Sequence, residues 1–95
     1  MIVGYRNKET AAIAAGRLPK RFPADLRRRT IAKLRFLDAA KVLDDLRSPP
    51  GNHLEALSGD RRGQHSIRVN RQFRICFVWT DAGPDEVEFV DYHKG

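Results

Sequence analysis

A single cysteine, Cys76, leaves the chain without an internal disulfide, and no CxxC pair or Cys/His cluster offers zinc its usual ligand spacing. No apolar run approaches the roughly 18 residues that span a bilayer, and no signal-peptide core opens the sequence. A reducing cytoplasm, without membrane contact, is the expected setting. Low-complexity tracts and internal repeats are also lacking, so a globular chain is expected rather than a disordered or repetitive one. Acidic residues are in the minority: twelve Asp+Glu face eighteen Lys+Arg, for a formal charge of +6 and a pI near 10.1. That excess on so small a surface favours a polyanionic partner, nucleic acid first and an acidic protein second. Ninety-five residues, 41% hydrophobic and 32% charged, suit one domain (1–95) with a thin core.

The order of elements predicts an α+β fold: an antiparallel sheet with an N-terminal strand and two helices packed on one face. Met1 to Tyr5 reads as a short strand. Asn7 caps a first helix through about Ala15, where Gly16 stops it. After a Pro-punctuated connection, a longer helix is expected from Ala24 to Leu46. At about 100° per residue, Ile31, Ala32, Phe36, Ala39, Val42, Leu43 and Leu46 share less than half its circumference, with Ala40 at one edge. They form the expected core stripe. Arg27, Lys33, Asp38, Lys41, Asp44 and Asp45 fall on the other side, with Leu34 and Leu37 as boundary residues or a small partner-facing patch. Arg35 lies within the stripe, so its stem must snorkel or its head must find a partner. Arg27, Arg28 and Arg29 near one end, and Asp44 and Asp45 near the other, oppose the helix macrodipole. A partner's anions would explain the arginines; a solvated face with Lys41–Asp45 pairing is the simpler account.

Ser48-Pro49-Pro50-Gly51-Asn52 ends the helix, and the hydrophobic period then changes from 3.6 to 2. Strands are expected at Leu54–Leu57, His65–Asn70, Phe73–Trp79 and Glu86–Tyr92, the last two joined by Asp81-Ala82-Gly83-Pro84-Asp85. Ile67 and Val69 alternate with polar neighbours, as do Phe73, Ile75 and Phe77. Matching these apolar faces requires a turn of odd length centred on Arg71, because a one-residue slip would turn a whole strand over. That register sets Arg68 directly opposite Arg74. Two facing cations repel, so folding gains nothing from the pair, whereas a phosphate between them would engage both guanidinium forks. At the other end of the sheet, Asp91 and His93 are two apart and share a strand face. A carboxylate there orients an imidazole or raises its pKa, the usual setting of a proton shuttle.

Several stretches together are similar to one family. Pro49-Pro50-Gly51-Asn52, Leu54-Glu55-Ala56-Leu57, Gly59-Asp60-Arg61-Arg62-Gly63-Gln64-His65-Ser66-Ile67-Arg68-Val69-Asn70, Phe73-Arg74-Ile75-Cys76-Phe77 and Val90-Asp91-Tyr92-His93 resemble HigB-type toxins of the RelE superfamily. The likeness covers the carboxyl half by motif and the amino half by layout. It implies the RelE-like fold and an endonuclease that cuts mRNA on translating ribosomes. It also implies a helix-turn-helix antitoxin that neutralises the toxin and represses the operon with it, so that DNA is met only through the antitoxin. In the family, the residues corresponding to Asn70, Asp91, Tyr92 and His93 serve activity. More distant RelE-type toxins place an Arg on each hairpin strand, corresponding here to Arg68 and Arg74. Two positions depart from the pattern: Ser58 stands where relatives commonly have Lys, and His53 where they often have Arg. His53 is read as a neutral replacement rather than an added proton-transfer or stacking group.

The implied reaction is attack of an RNA 2′-hydroxyl on its own 3′-phosphate, without metal or cofactor. His93 is then one proton-transfer group and Asp91 its orienter or the complementary base. Arg68 and Arg74 hold the phosphate, Asn70 fixes it by hydrogen bonds, and Tyr92 stacks a base or steadies His93. Arg61, Arg62, His65 and Arg71, with the helix group Arg27, Arg28 and Arg29, are the expected RNA- or ribosome-facing residues. The competing reading is a binding module of the same fold that holds RNA or antitoxin without effective catalysis. A DNA-binding autoregulator is disfavoured, since the chain shows no helix-turn-helix of its own.

Overall fold

The computed structural model of the chain describes residues 1–92. Two helices, α1 (Lys8–Ala14) and α2 (Ala24–Ala39), precede a four-stranded antiparallel sheet. Its strands are β1 (Glu55–Ala56), β2 (His65–Arg68), β3 (Phe73–Thr80) and β4 (Gly83–Asp91), in spatial order β1-β2-β3-β4. Both helices pack against β4, leaving the other sheet face to loops and polar side chains. This is the α+β arrangement that the order of elements predicts and the RelE-like fold that the resemblance implies.

The first helix forms as expected. Asn7 accepts a hydrogen bond from the Thr10 amide at 2.8 Å, and Gly16 takes φ 87° just beyond the end. Thr10, fully buried, then ties α1 to the sheet by accepting from the Phe89 amide at 3.0 Å. Residues 1–5, expected as a strand, make only one parallel bridge, Tyr5 to Val87, supported by bonds such as Val3 N–H to Pro84 O at 2.7 Å. The segment lies along β4 without forming a full ladder.

The second helix corrects the sequence reading. It ends at Ala39 rather than Leu46, because Ala40 turns extended (ψ 132°) and the carboxylate of Asp45 accepts from the amides of Lys41 and Val42. A 3₁₀ turn, Leu43–Arg47, follows. Val42, Leu43 and Leu46 therefore never belonged to the α-helical phase, and with them goes the stripe that they defined. The buried residues are Leu26, Thr30, Leu34 and Leu37, spaced by four, four and three, on almost the opposite face. Leu34 and Leu37 are core, while Phe36, expected inside, is 41% exposed. Arg35 is likewise outside, on the surface. The helix packs these leucines with Ile67, Ile75, Phe77 and Val87 of the sheet.

The strands fall close to expectation, with β4 starting three residues early. Thr80 pairs with Gly83 across a two-residue turn, so Gly83 and Pro84 are strand rather than loop. Gly83 sits at φ 127°, and a Cβ there would collide with the Met1 carbonyl. One irregularity bends the hairpin: the register shifts between Cys76 and Val78, opposite Glu86 at φ 50°, as a β-bulge does.

Candidate nucleic-acid interface

The tip of the β2–β3 hairpin is built by Asn70. Its side-chain oxygen accepts from the amides of Gln72 and Phe73, each at 2.8 Å, closing the turn in the manner of an Asx motif. The register is the expected one, with Arg68 opposite Arg74 and Ile67 opposite Ile75. Only the amide NH₂ of Asn70 is left to face a ligand.

Arg74 is not left to repel its neighbour. Its Nε donates to Ser66 Oγ at 2.7 Å and its Nη2 to the His53 carbonyl at 2.6 Å, with Glu55 at 3.5 Å from the same nitrogen. The guanidinium also lies 5.7 Å from the centroid of the Tyr92 ring, within cation–π range. The side chain is 13% exposed, against 57% for Glu55. The expectation that folding gains nothing from this arginine is therefore corrected: it ties β3 to β2 and to the segment before β1. His53 supplies that carbonyl from a left-handed conformation (φ 45°) that ends a 3₁₀ turn at Pro50–Asn52. Arg68 is freer, its Nε donating to the Asn70 carbonyl at 3.2 Å.

Two hollows meet over this tip. One, of about 350 Å³, is lined by Arg68, Arg74, Tyr92, Glu55 and their neighbours. The other, of about 740 Å³, runs between α2 and the hairpin turn, with Arg29, Lys33 and Phe36 on one wall and Arg71 and Gln72 on the other. His53, Arg68, Asn70 and Arg71 line both, so the two adjoin as halves of one basic cleft. By periodicity Lys33 falls on the polar side of the helix. In the fold its ammonium donates to Asn52 Oδ1 at 2.6 Å, and burial followed by the nearby charge of Arg29 pushes its pKa down. Asn52, fully buried, completes the anchor by donating to the carbonyls of Leu46 and Ser48. The Gly-Asn motif is thus a structural hub at the base of the cleft.

The remaining expected site residues divide. Arg71 lines the cleft, and Arg62 is exposed in the loop before β2. Arg61 turns onto the sheet, where it bonds Glu88 at 3.1 Å and Gln64 at 3.0 Å. Burial is the largest influence and opposes its charge, but the Glu88 hydrogen bond together with the surrounding negative charge, that of Glu88 included, outweighs it and the pKa is raised. His65 is half-buried and stacks on Phe77 at 6.3 Å, with Nδ1 buried and unpartnered among the described residues. Arg27, Arg28 and Arg29 are exposed on α2, and Asp25 pairs with the last two at 3.3 and 3.7 Å. Asp91 and Tyr92 leave the last strand on opposite sides, as strand alternation requires. Tyr92 faces Arg74, and Asp91 accepts from Gln72 at 3.1 Å. His93 lies outside the described residues. Cys76 is fully buried, and that burial pushes its thiol pKa up, so it remains neutral. Lys33, Phe36, Glu55 and Ser66 are the residues that sequence reasoning missed. The one available signal was the i,i+3 spacing of Lys33 and Phe36, which puts both on one helix face.

The fold is thus a RelE-like sheet with a cation-lined cleft, bearing the rings of Phe36 and Tyr92, at its hairpin tip. Residues 15–93 match the family described as RelE-like toxin of type II toxin-antitoxin system HigB, and the chain belongs to that family. Toxin HigB-1 of Vibrio cholerae serotype O1 is 44% identical over 72 residues, covering 76% of this chain and 75% of its own length. An uncharacterized protein of Haemophilus influenzae is 39% identical over 74 residues, covering 78% and 72%. Membership implies an antitoxin partner. Among the described residues, no helix is long and apolar enough to cross a membrane.

Proposed function

We propose that this toxin is a ribosome-dependent mRNA endoribonuclease, acting in the cytoplasm as one domain over residues 1–95 and neutralised by a helix-turn-helix antitoxin. The observation that carries the reading is the in-register pair Arg68–Arg74 at the bottom of a basic cleft. A phosphate there meets two guanidinium groups, one of them already oriented by Ser66 and the His53 carbonyl. Donors fixed before the reaction stabilise developing charge without reorganising, which is what a phosphorane needs.

The 2′-oxygen attacks the adjacent phosphorus and the bond to the 5′-oxygen breaks, leaving a 2′,3′-cyclic phosphate. One group takes the 2′-hydroxyl proton and another gives a proton to the leaving 5′-oxygen. By the family resemblance His93 is one of these groups, with Asp91, which leaves β4 on the side away from Arg74 and accepts from Gln72, as its orienter or as the complementary base. Asn70 donates through its NH₂, since its oxygen closes the turn. Tyr92, packed beside the Arg74 guanidinium, stacks a base or steadies His93. The proposed chemistry needs no metal.

The test is single-turnover cleavage of ribosome-bound message, with RNA binding measured in parallel. His93→Gln should bind RNA near the parental level and cleave about 10²–10⁴-fold more slowly. Cleavage should persist in EDTA and yield 2′,3′-cyclic phosphate or 3′-phosphate ends. Products ending in 3′-hydroxyl, or activity abolished by chelation, overturn the mechanism. Growth arrest with intact message would turn the reading to a binding module.

A further inference from the structure

Among the large apolar side chains of α2, Leu26, Leu34 and Leu37 are buried, whereas Phe36 is 41% exposed. The core has no use for its ring, yet the ring is not left mobile on the surface. Lys33, one turn earlier, holds its ammonium 5.6 Å from the ring centroid while donating to Asn52 at 2.6 Å. Because Asn52 is fully buried and bonded to two backbone carbonyls, the cation sits on a fixed anchor. Ring and cation both line the groove between α2 and the hairpin turn, and Arg71 lines the facing wall. A π-face with cations on both sides of a groove is the combination that single-stranded nucleic acid uses, base on ring and backbone on charge. An amphipathic protein helix would instead need several apolar anchors in a row, and Phe36 is the single large exposed one here. The groove also adjoins the Arg68–Arg74 hollow, sharing His53, Arg68, Asn70 and Arg71 with it. A strand whose phosphate rests between the two arginines therefore runs on over the tip.

We propose that the groove between α2 and the β2–β3 turn is a base-binding subsite, where a nucleotide flanking the scissile phosphate stacks on Phe36 and its phosphate meets Lys33 and Arg71. The inference rests on the RNA-cleaving reading above and extends it to a second contact, on the helix wall.

The test uses uncleavable 2′-O-methyl RNA heptamers carrying 2-aminopurine at successive positions, titrated with the full chain. The parent should quench the label at one position next to the phosphate site. Phe36→Leu should lose that quenching and bind about 5- to 100-fold more weakly, the span expected for one lost base–aromatic stack. Phe36→Trp should keep both. Lys33→Gln should flatten the dependence of log affinity on log salt by about 0.7, the release expected from one phosphate of a single strand. Both Phe36 variants should melt like the parent; a Leu variant that melts much earlier makes the ring structural and overturns the subsite. If Phe36→Leu binds and quenches as the parent does while Arg74→Lys weakens binding, the subsite is wrong and the hairpin reading stands. The groove would then pass to a protein partner. If no heptamer binds at all, the subsite is wrong, and the RNA-cleaving reading stands or falls on cleavage of ribosome-bound message.

Discussion

Two groups of arginines carry much of this toxin's positive charge, and the fold treats them differently. On the hairpin, Arg74 is 13% exposed and held by a hydroxyl, a carbonyl, a carboxylate and a ring. On α2, Arg28 is 79% exposed and leans on Asp25 across one helical turn. The same side chain is a positioned cation in one place and a solvated one in the other. A preorganised guanidinium loses little freedom when a phosphate arrives, whereas an exposed one must be immobilised and acts chiefly by screened, long-range attraction. Catalysis is therefore expected at the hairpin and encounter on the helix.

The harshest way to break that contrast is Arg74→Ala. Cleavage should fall by about 10²–10³-fold, and the fold should lose about 1–3 kcal/mol because buried Ser66 keeps an acceptor without its donor. Melting curves beside single-turnover rates check both. Unchanged stability would mean that the partners seen around Arg74 contribute nothing, and the site would be less ordered than argued. Arg74→Lys should rescue only part of the rate, since an ammonium cannot reproduce the fork.

Asn52→Ala attacks the anchor that holds Lys33 on the helix wall of the cleft. It removes the bonds to Leu46 and Ser48 and the acceptor for Lys33, so a loss on the order of 3 kcal/mol is expected in urea unfolding. Cleavage under conditions where the variant is folded should fall less than for Arg74→Ala. A larger fall would make Asn52 part of the chemistry rather than its support.

The helix group should respond to salt instead. Replacing Arg27, Arg28 and Arg29 together with Ala should weaken ribosome association several-fold at low ionic strength and little at high, because exposed charges are screened. An identical salt slope for parent and variant returns these arginines to the role of solvated surface. The smallest effect concerns the break after α2. Asp45 has a depressed pKa, first from the Lys41 amide and then from the Val42 amide. A carboxylate so lowered stabilises the fold above its ordinary value of 3.8 and loses that contribution as pH falls through the lowered one. Parent and Asp45→Asn should thus differ slightly in melting temperature at neutral pH and converge in strong acid. Parallel curves would show that the side chain does not end the helix.

The sequence alone determined the hairpin and its facing arginines. Strand period is two and the turn had to be odd, so local alternation admitted one register in which Ile67, Val69, Phe73 and Ile75 share a face. The motifs of the carboxyl half also determined the family, because they lie close together in the chain and record backbone requirements such as the Asn70 turn and the buried Asn52. Tertiary structure alone decided where α2 stops and which way it faces. Helical phase accumulates with every residue, so including Val42, Leu43 and Leu46 turned the predicted core stripe nearly around. Nothing in the local sequence forbids those residues an α-helix. It is the Asp45 carboxylate on the Lys41 and Val42 amides, and Asn52 drawing in the Leu46 carbonyl, that redirect the chain. The same redirection brings Lys33 and Phe36 out of their expected places and into the cleft. Side-chain bonds that redirect the backbone leave no mark on the hydrophobic period, and so only the folded chain could place them.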